Sequence, residues 1–353
     1  VSGDHGARSV IPRGAVPPHG SGDPPTRGRT GSPATPPARG PGEFTVSEGV
    51  RRPRRAVTGI AVALLLLATA APAASEGVFK HGAAGTRAYR LYVPERAAAG
   101  PLPLVIALHG CFQTPEDFAL GTRLNDAAER RGLLVLYPAQ RPRDNASRCW
   151  NWFAPEHQGR ASGEVAEILA AVREVARVHQ VAPGRTIALG LSAGGFMAVN
   201  LLCAAPDVVS GVGVAAGGPY RCGLGVDGAL RCMRGLGLDG AASAAACLAA
   251  GGKRSLPVRA SLWHGALDTV VAPANFTALE TMFARLAGMA SGTTERREGA
   301  LHALYRDAQG RPVIETWLVP GLGHAWSGGD ARGTHTVPWG PSATDRMLDF
   351  LLP

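Results

Sequence analysis

The sequence predicts an α/β fold in which helices cover both faces of a mostly parallel central sheet. Short apolar runs that are typical of buried strands alternate with stretches of helical periodicity. No linker-like segment interrupts residues 80–352, which favours a single domain over residues 74–353. A hydrophobic share of 45% and a charged share of 18% are typical of a globular protein with a sizeable core.

The predicted strands are apolar or alternating runs that end at glycine, proline or a polar turn. An early edge strand is expected over residues 87–93, where polar and apolar side chains alternate before Pro94. Further strands are expected over residues 104–108, 133–137, 186–189, 213–216, 258–263 and 314–319.

Helices are expected between these strands. Residues 118–131 have helical periodicity that stops at Gly132, and residues 196–202 and 345–352 are two further candidates. Over residues 164–179, one helical face collects Val165, Ile168, Leu169, Val172 and Val175.

The first 73 residues predict two segments outside the folded body. Residues 1–49 are rich in small and polar residues without apolar periodicity, so we expect them to be disordered. They also suggest an over-extended reading frame, since the first methionine is Met197. Residues 50–73 join four arginines to an apolar run and end in Ala71-Pro72-Ala73, which is typical of a secretory signal peptide. The run is shorter than the roughly 20 residues of a membrane span, so we expect cleavage near Ala73, secretion and no stable membrane anchor.

The basic residues are concentrated in this same leading part of the chain. The whole sequence has a net charge of +9, but residues 1–73 hold nine arginines and four acidic residues. The remainder therefore carries about +4, which argues against a nucleic-acid partner.

An even number of cysteines in a secreted chain predicts disulfide bonds. The six are Cys111, Cys149, Cys203, Cys222, Cys232 and Cys247. The sequence contains no C-x-x-C or H-x-x-x-H pattern, so we expect no metal site. The pairing stays open, because six cysteines allow many combinations.

A candidate nucleophile follows the run 186–189. The segment Gly190-Leu191-Ser192-Ala193-Gly194 matches G-x-S-x-G, a pattern that a glycine-rich chain also produces by chance. Its position between a strand and a helix is what favours catalysis, because a tight strand-to-helix turn exposes a strained serine above the sheet.

A nucleophilic serine needs a base and an orienting carboxylate, in the chain order Ser, Asp, His for this kind of fold. Asp268 follows the predicted strand 258–263, and His324 follows the predicted strand 314–319. We therefore predict a triad of Ser192, Asp268 and His324. The backbone N–H groups of Ala193 and of Cys111, which follows the strand 104–108, are the expected oxyanion hole.

Residues 80–352 resemble the secreted polyhydroxybutyrate depolymerase family of esterases, which have the α/β-hydrolase fold. The segments that carry the resemblance are residues 108–118, Gly121-Thr122, Tyr137-Pro138, 148–153, Ser162-Gly163-Glu164, 190–195, 217–220 and 323–329. The match is weak over residues 222–252, which are rich in Gly and Ala. The resemblance also implies a Cys111–Cys149 disulfide, with two further bonds of unknown pairing.

The resemblance implies hydrolysis of short-chain 3-hydroxyalkanoate polyester or its oligomers through an acyl-enzyme, without a cofactor. Related esterases release feruloyl or acetyl groups from plant polysaccharides, and these substrates are alternatives. A catalytically inactive polymer-binding protein and a serine peptidase are weaker ones. Aromatic residues near the motifs, namely Trp150, Trp152, Phe153 and Trp326, are candidates for lining an ester cleft.

The sequence also suggests a preference among polyester substrates. No Thr-rich or fibronectin-like linker leads to a polymer-binding module, and the chain ends at Pro353. The small charge of the folded part does not promote adsorption to an uncharged polymer. We therefore expect efficient cleavage of dissolved 3-hydroxybutyrate oligomers or amorphous granules and poor attack on crystalline film.

Overall fold

A ten-stranded sheet organises the residues that the computed structural model describes, which are 77–95, 100–252, 259–289 and 292–353. They belong to one compact unit, Ala70–Pro353. The strands are β1 (Val78–Ala84), β2 (Arg87–Val93), β3 (Leu102–Leu108), β4 (Leu134–Pro138), β5 (Val181–Leu191), β6 (Gly211–Ala215), β7 (Arg259–Gly265), β8 (Thr293–Arg297), β9 (Ala300–Arg306) and β10 (Pro312–Val319).

The strand order in the sheet is β1-β2-β4-β3-β5-β6-β7-β10-β9-β8. The six central strands, from β4 to β10 in this order, are parallel, and the outer pairs are antiparallel. The carboxyl ends of β3, β5, β7 and β10 therefore lie at one edge of the sheet, where ligands bind in folds of this type.

Eight α-helices and one short 3₁₀ helix (Pro155–His157) occur in the described ranges. The α-helices are α1 (Pro115–Thr122), α2 (Leu124–Arg131), α3 (Gly163–Val178), α4 (Ala193–Ala204), α5 (Gly225–Met233), α6 (Gly240–Ala250), α7 (Ala274–Leu286) and α8 (Ala343–Leu351). On one face of the sheet, Leu104 and Ile106 of β3 pack in a core with residues of α3, α4 and α7. On the other face, Val105 and Ala107 pack with residues of α1, α2 and α8. The predicted class, a mostly parallel sheet covered on both faces, is confirmed.

Two local expectations are wrong. Residues 87–93 are a strand, but β1 pairs with it and occupies the edge instead. The single helix expected over residues 118–131 is two helices, which meet at Arg123 in the left-handed conformation (φ 57°). At the break, the carbonyl of Gly121 accepts a hydrogen bond from the amide of Asp330 in a distant segment of the chain (2.8 Å).

Three disulfides join described residues. The expected Cys111–Cys149 bond is present, and the open pairings are Cys203–Cys247 and Cys222–Cys232. The second bond links α4 to α6, and the third closes the segment that contains most of α5.

The disorder predicted for residues 1–49 and the signal peptide predicted for residues 50–73 lie outside the described residues. Within the described ranges, no helix combines the length and the hydropathy needed to cross a membrane. The same ranges contain no group of three or more His, Cys, Asp or Glu side chains that could hold a metal ion.

Candidate active site

Ser192 occupies a strained turn between β5 and α4. Its backbone has φ 55° and ψ −122°, a conformation that costs a non-glycine residue of the order of 1–3 kcal/mol. The turn requires small neighbours, because a Cβ atom on Gly194 would lie 2.0 Å from the carbonyl oxygen of Leu108. The Ser192 amide donates to the Ala215 carbonyl at the end of β6 (2.9 Å), which fixes the turn against the neighbouring strand. This geometry is that of a nucleophile elbow.

Asp268 lies in the loop after β7 and is buried. Its Oδ1 atom accepts hydrogen bonds from the amides of Val270 and Val271 (2.9 Å each), and its Oδ2 atom lies 2.8 Å from Nδ1 of His324. Burial raises the pKa of the Asp268 carboxyl, but the hydrogen bond with His324 and its charge outweigh burial and lower the pKa below its usual value. Asp268 is therefore ionised at neutral pH.

His324 lies in the loop after β10, the parallel neighbour of β7. The two loops pack directly against each other, since the Leu267 amide donates to the Leu322 carbonyl (2.9 Å). A side chain at Gly265 would not fit between them, because its Cβ atom would lie 2.3 Å from the Leu322 carbonyl oxygen. With Nδ1 held by Asp268, the Nε2 atom of His324 is the nitrogen that remains for a reacting group.

The structure brings Asp268 and His324 into direct contact and places Ser192 on the same edge of the sheet, after β5. Among the hydrogen bonds of the described residues, none joins the Ser192 hydroxyl to His324. Such bonds in unliganded sites are commonly long and tighten once substrate binds. Two other aspartates lie near His324 in the sequence, but each forms an ion pair with an arginine: Asp307 with Arg311 and Asp330 with Arg332.

The turn after β3 lies beside Ser192, the candidate nucleophile. A Cβ atom on Gly110 would be 3.6 Å from Cβ of Ser192, which places the amide of Cys111 next to the serine. The amides of Cys111 and Ala193 donate to no protein acceptor among the hydrogen bonds of the described residues. Two unpaired N–H groups beside a nucleophile are what an oxyanion requires.

Buried polar side chains hold this turn in place. Gln113 accepts from the Gly110 amide at Oε1 (2.8 Å), and its Nε2 atom donates to the Thr334 carbonyl (2.8 Å). His109 is fully buried, which lowers its pKa to about 4, and its neutral ring accepts the Gln140 amide at Nε2 (3.2 Å). The turn is thus tied both to the loop beyond His324 and to the end of β4.

The Cys149 side of the disulfide rests on a second buried group, Glu164. Its Oε2 atom accepts from the Asn151 amide (2.8 Å), and its Oε1 atom accepts from Gln140 Nε2 (2.5 Å) and Asn151 Nδ2 (2.8 Å). Burial raises the pKa of the Glu164 carboxyl above its usual value. Gln140 also accepts from the buried Arg87 (2.5 Å) and donates to the Cys149 carbonyl (3.0 Å). One hydrogen-bond network therefore joins Arg87, Gln140 and Glu164 to the Cys149 end of the disulfide.

An apolar pocket of about 150 Å³ opens beside Ser192. Its lining consists of Cys111, Cys149, Trp152, Phe153, Ser192, Ala193, Phe196, Val226, Ala229, Leu230, Met233 and Val271. Trp152 stacks on Phe196 with ring centroids 3.9 Å apart, which makes one wall rigid. Helix α5 supplies four of the lining residues, Val226, Ala229, Leu230 and Met233.

Two of the tryptophans expected in the cleft, Trp150 and Trp326, do not line this pocket. Trp326 is completely buried against Phe118 and donates from Nε1 to Thr344 (3.1 Å), so its ring belongs to the core. Trp150 is also completely buried and donates to the His109 carbonyl (3.1 Å). Both indole N–H groups have internal partners, which makes burial favourable. Of the three tryptophans predicted to bind substrate, Trp152 alone lines the pocket.

Sequence reasoning missed the contribution of α5. Its pocket residues Val226, Ala229, Leu230 and Met233 recur at i, i+3, i+4 and i+7, the spacing of one helical face. That periodicity, between Cys222 and Cys232, was the available signal. The buried residues Gln113 and Glu164 lie in segments that resemble the family, but no local pattern indicated their roles.

A family model described as Esterase PHB depolymerase matches residues 87–304, more than half of the chain. The chain belongs to this family. Poly(3-hydroxyalkanoate) depolymerase C of Paucimonas lemoignei is 34% identical over 227 residues, which are 63% of this chain and 54% of that protein. Poly(3-hydroxybutyrate) depolymerase of Ralstonia pickettii is 30% identical over 244 residues, 65% of this chain and 49% of that protein. The chain thus spans about half the length of these two relatives.

Members of other esterase groups are similar over shorter or more divergent stretches. Feruloyl esterase B of Thermothelomyces thermophilus is 29% identical over 140 residues, 39% of this chain and 47% of that protein. Among solved structures, an acetyl xylan esterase from Aspergillus awamori superposes with a TM-score of 0.66 at 18% identity. The superposition covers 78% of this chain and 99% of the acetyl xylan esterase chain. The expected α/β-hydrolase fold is confirmed by this likeness.

Proposed function

We propose that the protein is a secreted serine esterase that hydrolyses short-chain 3-hydroxyalkanoate polyester or its oligomers, with Ser192, His324 and Asp268 as its triad. The observation that supports this best is the buried Asp268–His324 contact of 2.8 Å at the sheet edge that also holds the strained Ser192 turn. The unpaired amides of Cys111 and Ala193 and the family membership add to it.

In this mechanism Nε2 of His324 takes the proton of Ser192 as Oγ attacks the ester carbonyl carbon. Asp268 holds the proton on Nδ1 and stabilises the imidazolium that forms. The amides of Cys111 and Ala193 donate to the oxyanion, and its collapse breaks the ester bond as His324 protonates the departing alcohol. Water then attacks the acyl-enzyme by the same route, which releases the acid and restores Ser192.

The pocket supports a short acyl group. The pocket volume of about 150 Å³ is close to that of a cavity that holds benzene, which has roughly six non-hydrogen atoms. A 3-hydroxybutyryl unit is of that size, whereas a feruloyl group is about twice as large. Short-chain acyl groups are therefore favoured over aromatic ones in this pocket.

Removal of acetyl groups from a plant polysaccharide is the second candidate. The fold likeness to an acetyl xylan esterase favours it, and an acetyl group is smaller than the pocket. The two candidates differ in the alcohol side of the ester, which is a sugar in one case and another hydroxyacyl unit in the other.

The three disulfides support secretion, because such bonds persist in oxidising compartments. The predicted signal peptide over residues 50–73 is part of the same proposal.

The decisive experiment compares initial rates on 3-hydroxybutyrate oligomers, acetylated xylan, feruloyl esters and p-nitrophenyl butyrate. The Ser192→Ala protein is the matched control and should lose at least three orders of magnitude on each substrate that is cleaved. Highest kcat/KM on the 3-hydroxybutyrate oligomers is the expected result. Higher kcat/KM on acetylated xylan or feruloyl esters would contradict the substrate assignment, and more than a few per cent residual activity in Ser192→Ala would contradict the triad.

A further inference from the structure

His335 is an exposed histidine beside His324, the candidate general base. The centroids of the two rings are 6.2 Å apart, and the ring planes are nearly perpendicular (76°). Within the part of the chain that the structure describes, the ring nitrogens of His335 have no hydrogen-bond or ion-pair partner. They are therefore available to a bound molecule, and the triad mechanism does not use them.

The backbone at His335 lies in the left-handed region, with φ 53°. Glycine adopts this conformation without steric cost, whereas a residue with a Cβ atom is strained there, and such strain is concentrated at functional sites. The His335 carbonyl accepts from the Trp326 amide (2.8 Å), and the Trp326 carbonyl accepts from the Val337 amide (3.0 Å). These bonds pair the segment with a residue two positions after His324 and so hold the imidazole in place.

The same segment is tied to the turn after β3. Gln113 donates from Nε2 to the Thr334 carbonyl (2.8 Å) and accepts at Oε1 from the Gly110 amide (2.8 Å). Asp117 of α1 accepts from the Thr334 amide (3.0 Å). The segment that contains His335 therefore connects two parts of the site, the turn after β3 and the loop of the candidate base.

The geometry of acyl transfer leaves one part of an ester for His335. The acyl group is expected in the apolar pocket, and the oxyanion is expected at the amides of Cys111 and Ala193. The departing oxygen must lie near Nε2 of His324, which protonates it. His335 does not line the acyl pocket but lies beside the ring of His324. It is therefore placed for the alcohol part, which extends from the departing oxygen.

The alcohol part of both candidate substrates contains a polar group that an imidazole can bind. In a 3-hydroxyalkanoate polyester, the leaving unit has its own carbonyl group, separated from the departing oxygen by two carbon atoms. In an acetylated polysaccharide, the leaving sugar has neighbouring hydroxyl groups. A neutral imidazole offers one N–H donor and one acceptor nitrogen to such groups. A simple alkyl alcohol has no group of this kind beyond the departing oxygen itself.

We propose that His335 is a specificity-determining residue, which donates a hydrogen bond from its imidazole to a carbonyl or hydroxyl oxygen in the alcohol part of the ester. The inference rests on the proposed function for the bond that is cleaved. It adds selection by the alcohol side of the ester to the selection by the acyl side that the apolar pocket provides.

The test compares two substrates with the same acyl group. The methyl ester of the 3-hydroxybutyrate dimer, cleaved at its internal ester, and ethyl 3-hydroxybutyrate form the same acyl-enzyme, but only the first has a polar alcohol part. His335→Phe keeps an aromatic ring beside His324 and removes both nitrogens, and His335→Gly removes the side chain but suits the left-handed backbone. The matched control is His179→Phe, because His179 precedes β5 and lies at the opposite end of that strand from Ser192.

We expect kcat/KM on the dimer ester to fall at least tenfold in both His335 variants. On ethyl 3-hydroxybutyrate it should stay within twofold of the parent, and His179→Phe should be unchanged on both substrates. Each protein is measured on both substrates, so the ratio of the two kcat/KM values does not depend on the fraction of protein that is folded. An equal loss on both substrates, no loss on either, or a parent-like ratio in His335→Phe would overturn the inference.

Failure of the proposed polyester substrate gives a different result. Higher kcat/KM of the parent on acetylated xylan than on the dimer ester would contradict that substrate class. The comparison is then made between acetylated xylan and ethyl acetate, which also share an acyl group. A selective loss on acetylated xylan in the His335 variants would still support the inference, and an equal loss on both acetates would overturn it.

Discussion

Replacing Asp268 by Asn tests the triad through the proton on His324. In the folded protein, the amides of Val270 and Val271 both donate to Oδ1 of Asp268. An asparagine oxygen would keep those two bonds, so the side-chain NH₂ group would have to face Nδ1 of His324. Nδ1 would then accept a hydrogen bond, and the ring proton would move to Nε2.

An imidazole with its proton on Nε2 cannot take the proton of Ser192. From the effect of the same change in a serine protease, kcat should fall by about 10⁴-fold, or about 5.5 kcal/mol of transition-state stabilisation. The assay is p-nitrophenyl butyrate hydrolysis at saturating substrate near pH 7.5, and nitrogen-15 NMR of labelled histidine reports the tautomer. Asp330→Asn is the matched control, because that carboxylate is paired with Arg332. A loss below tenfold in Asp268→Asn, or a larger loss in the control, would refute the reasoning.

Three further predictions concern the support of the site. Replacing Cys111 and Cys149 by Ser should lower the free energy of unfolding, measured in urea, by about 2–4 kcal/mol. It should also reduce kcat more than it raises KM in steady-state assays. An unchanged kcat would show that the disulfide does not hold the Cys111 amide in place for catalysis. Burial holds the pKa of His109 at about 4, below the unfolded value of 6.5, so the unfolded chain binds more protons between these values. The free energy of unfolding should therefore fall by up to about 3 kcal/mol as the pH drops from 6.5 to 4. Urea unfolding of His109→Asn at several pH values should show no such fall. The same fall in the variant would exclude His109 as its cause. Ala229→Phe should fill the pocket and lower kcat/KM at least tenfold more for butyryl than for acetyl esters, and an equal loss on both would show that the pocket does not hold the acyl chain.

The sequence predicted best where burial leaves a strong local signal. The central strands are apolar runs because they are covered on both faces, and every such run that was predicted is a strand of the sheet. By contrast, β8 (Thr293–Arg297) is polar and exposed throughout, so nothing in its composition marks it as a strand. It is ordered by pairing with β9, a contact that is visible only in three dimensions.

Distant contacts also decided details that local patterns predicted wrongly. At the helix break, Gly121 is bonded to Asp330, more than 200 residues further along the chain. Trp326 was placed in the cleft because it lies two residues from His324, but its indole points into the core toward Phe118. Proximity in sequence does not determine which side of a loop a side chain faces.

The sequence by itself determined the α/β class, the candidate nucleophile turn and the order Ser192, Asp268, His324, because each depends on a residue type at the end of an apolar run. The tertiary structure decided which partners meet: Nδ1 of His324 with Asp268, Gln113 with the turn after β3, and α5 with the Ser192 pocket. These contacts join segments that are far apart in the chain, and their distances follow from strand order and loop packing.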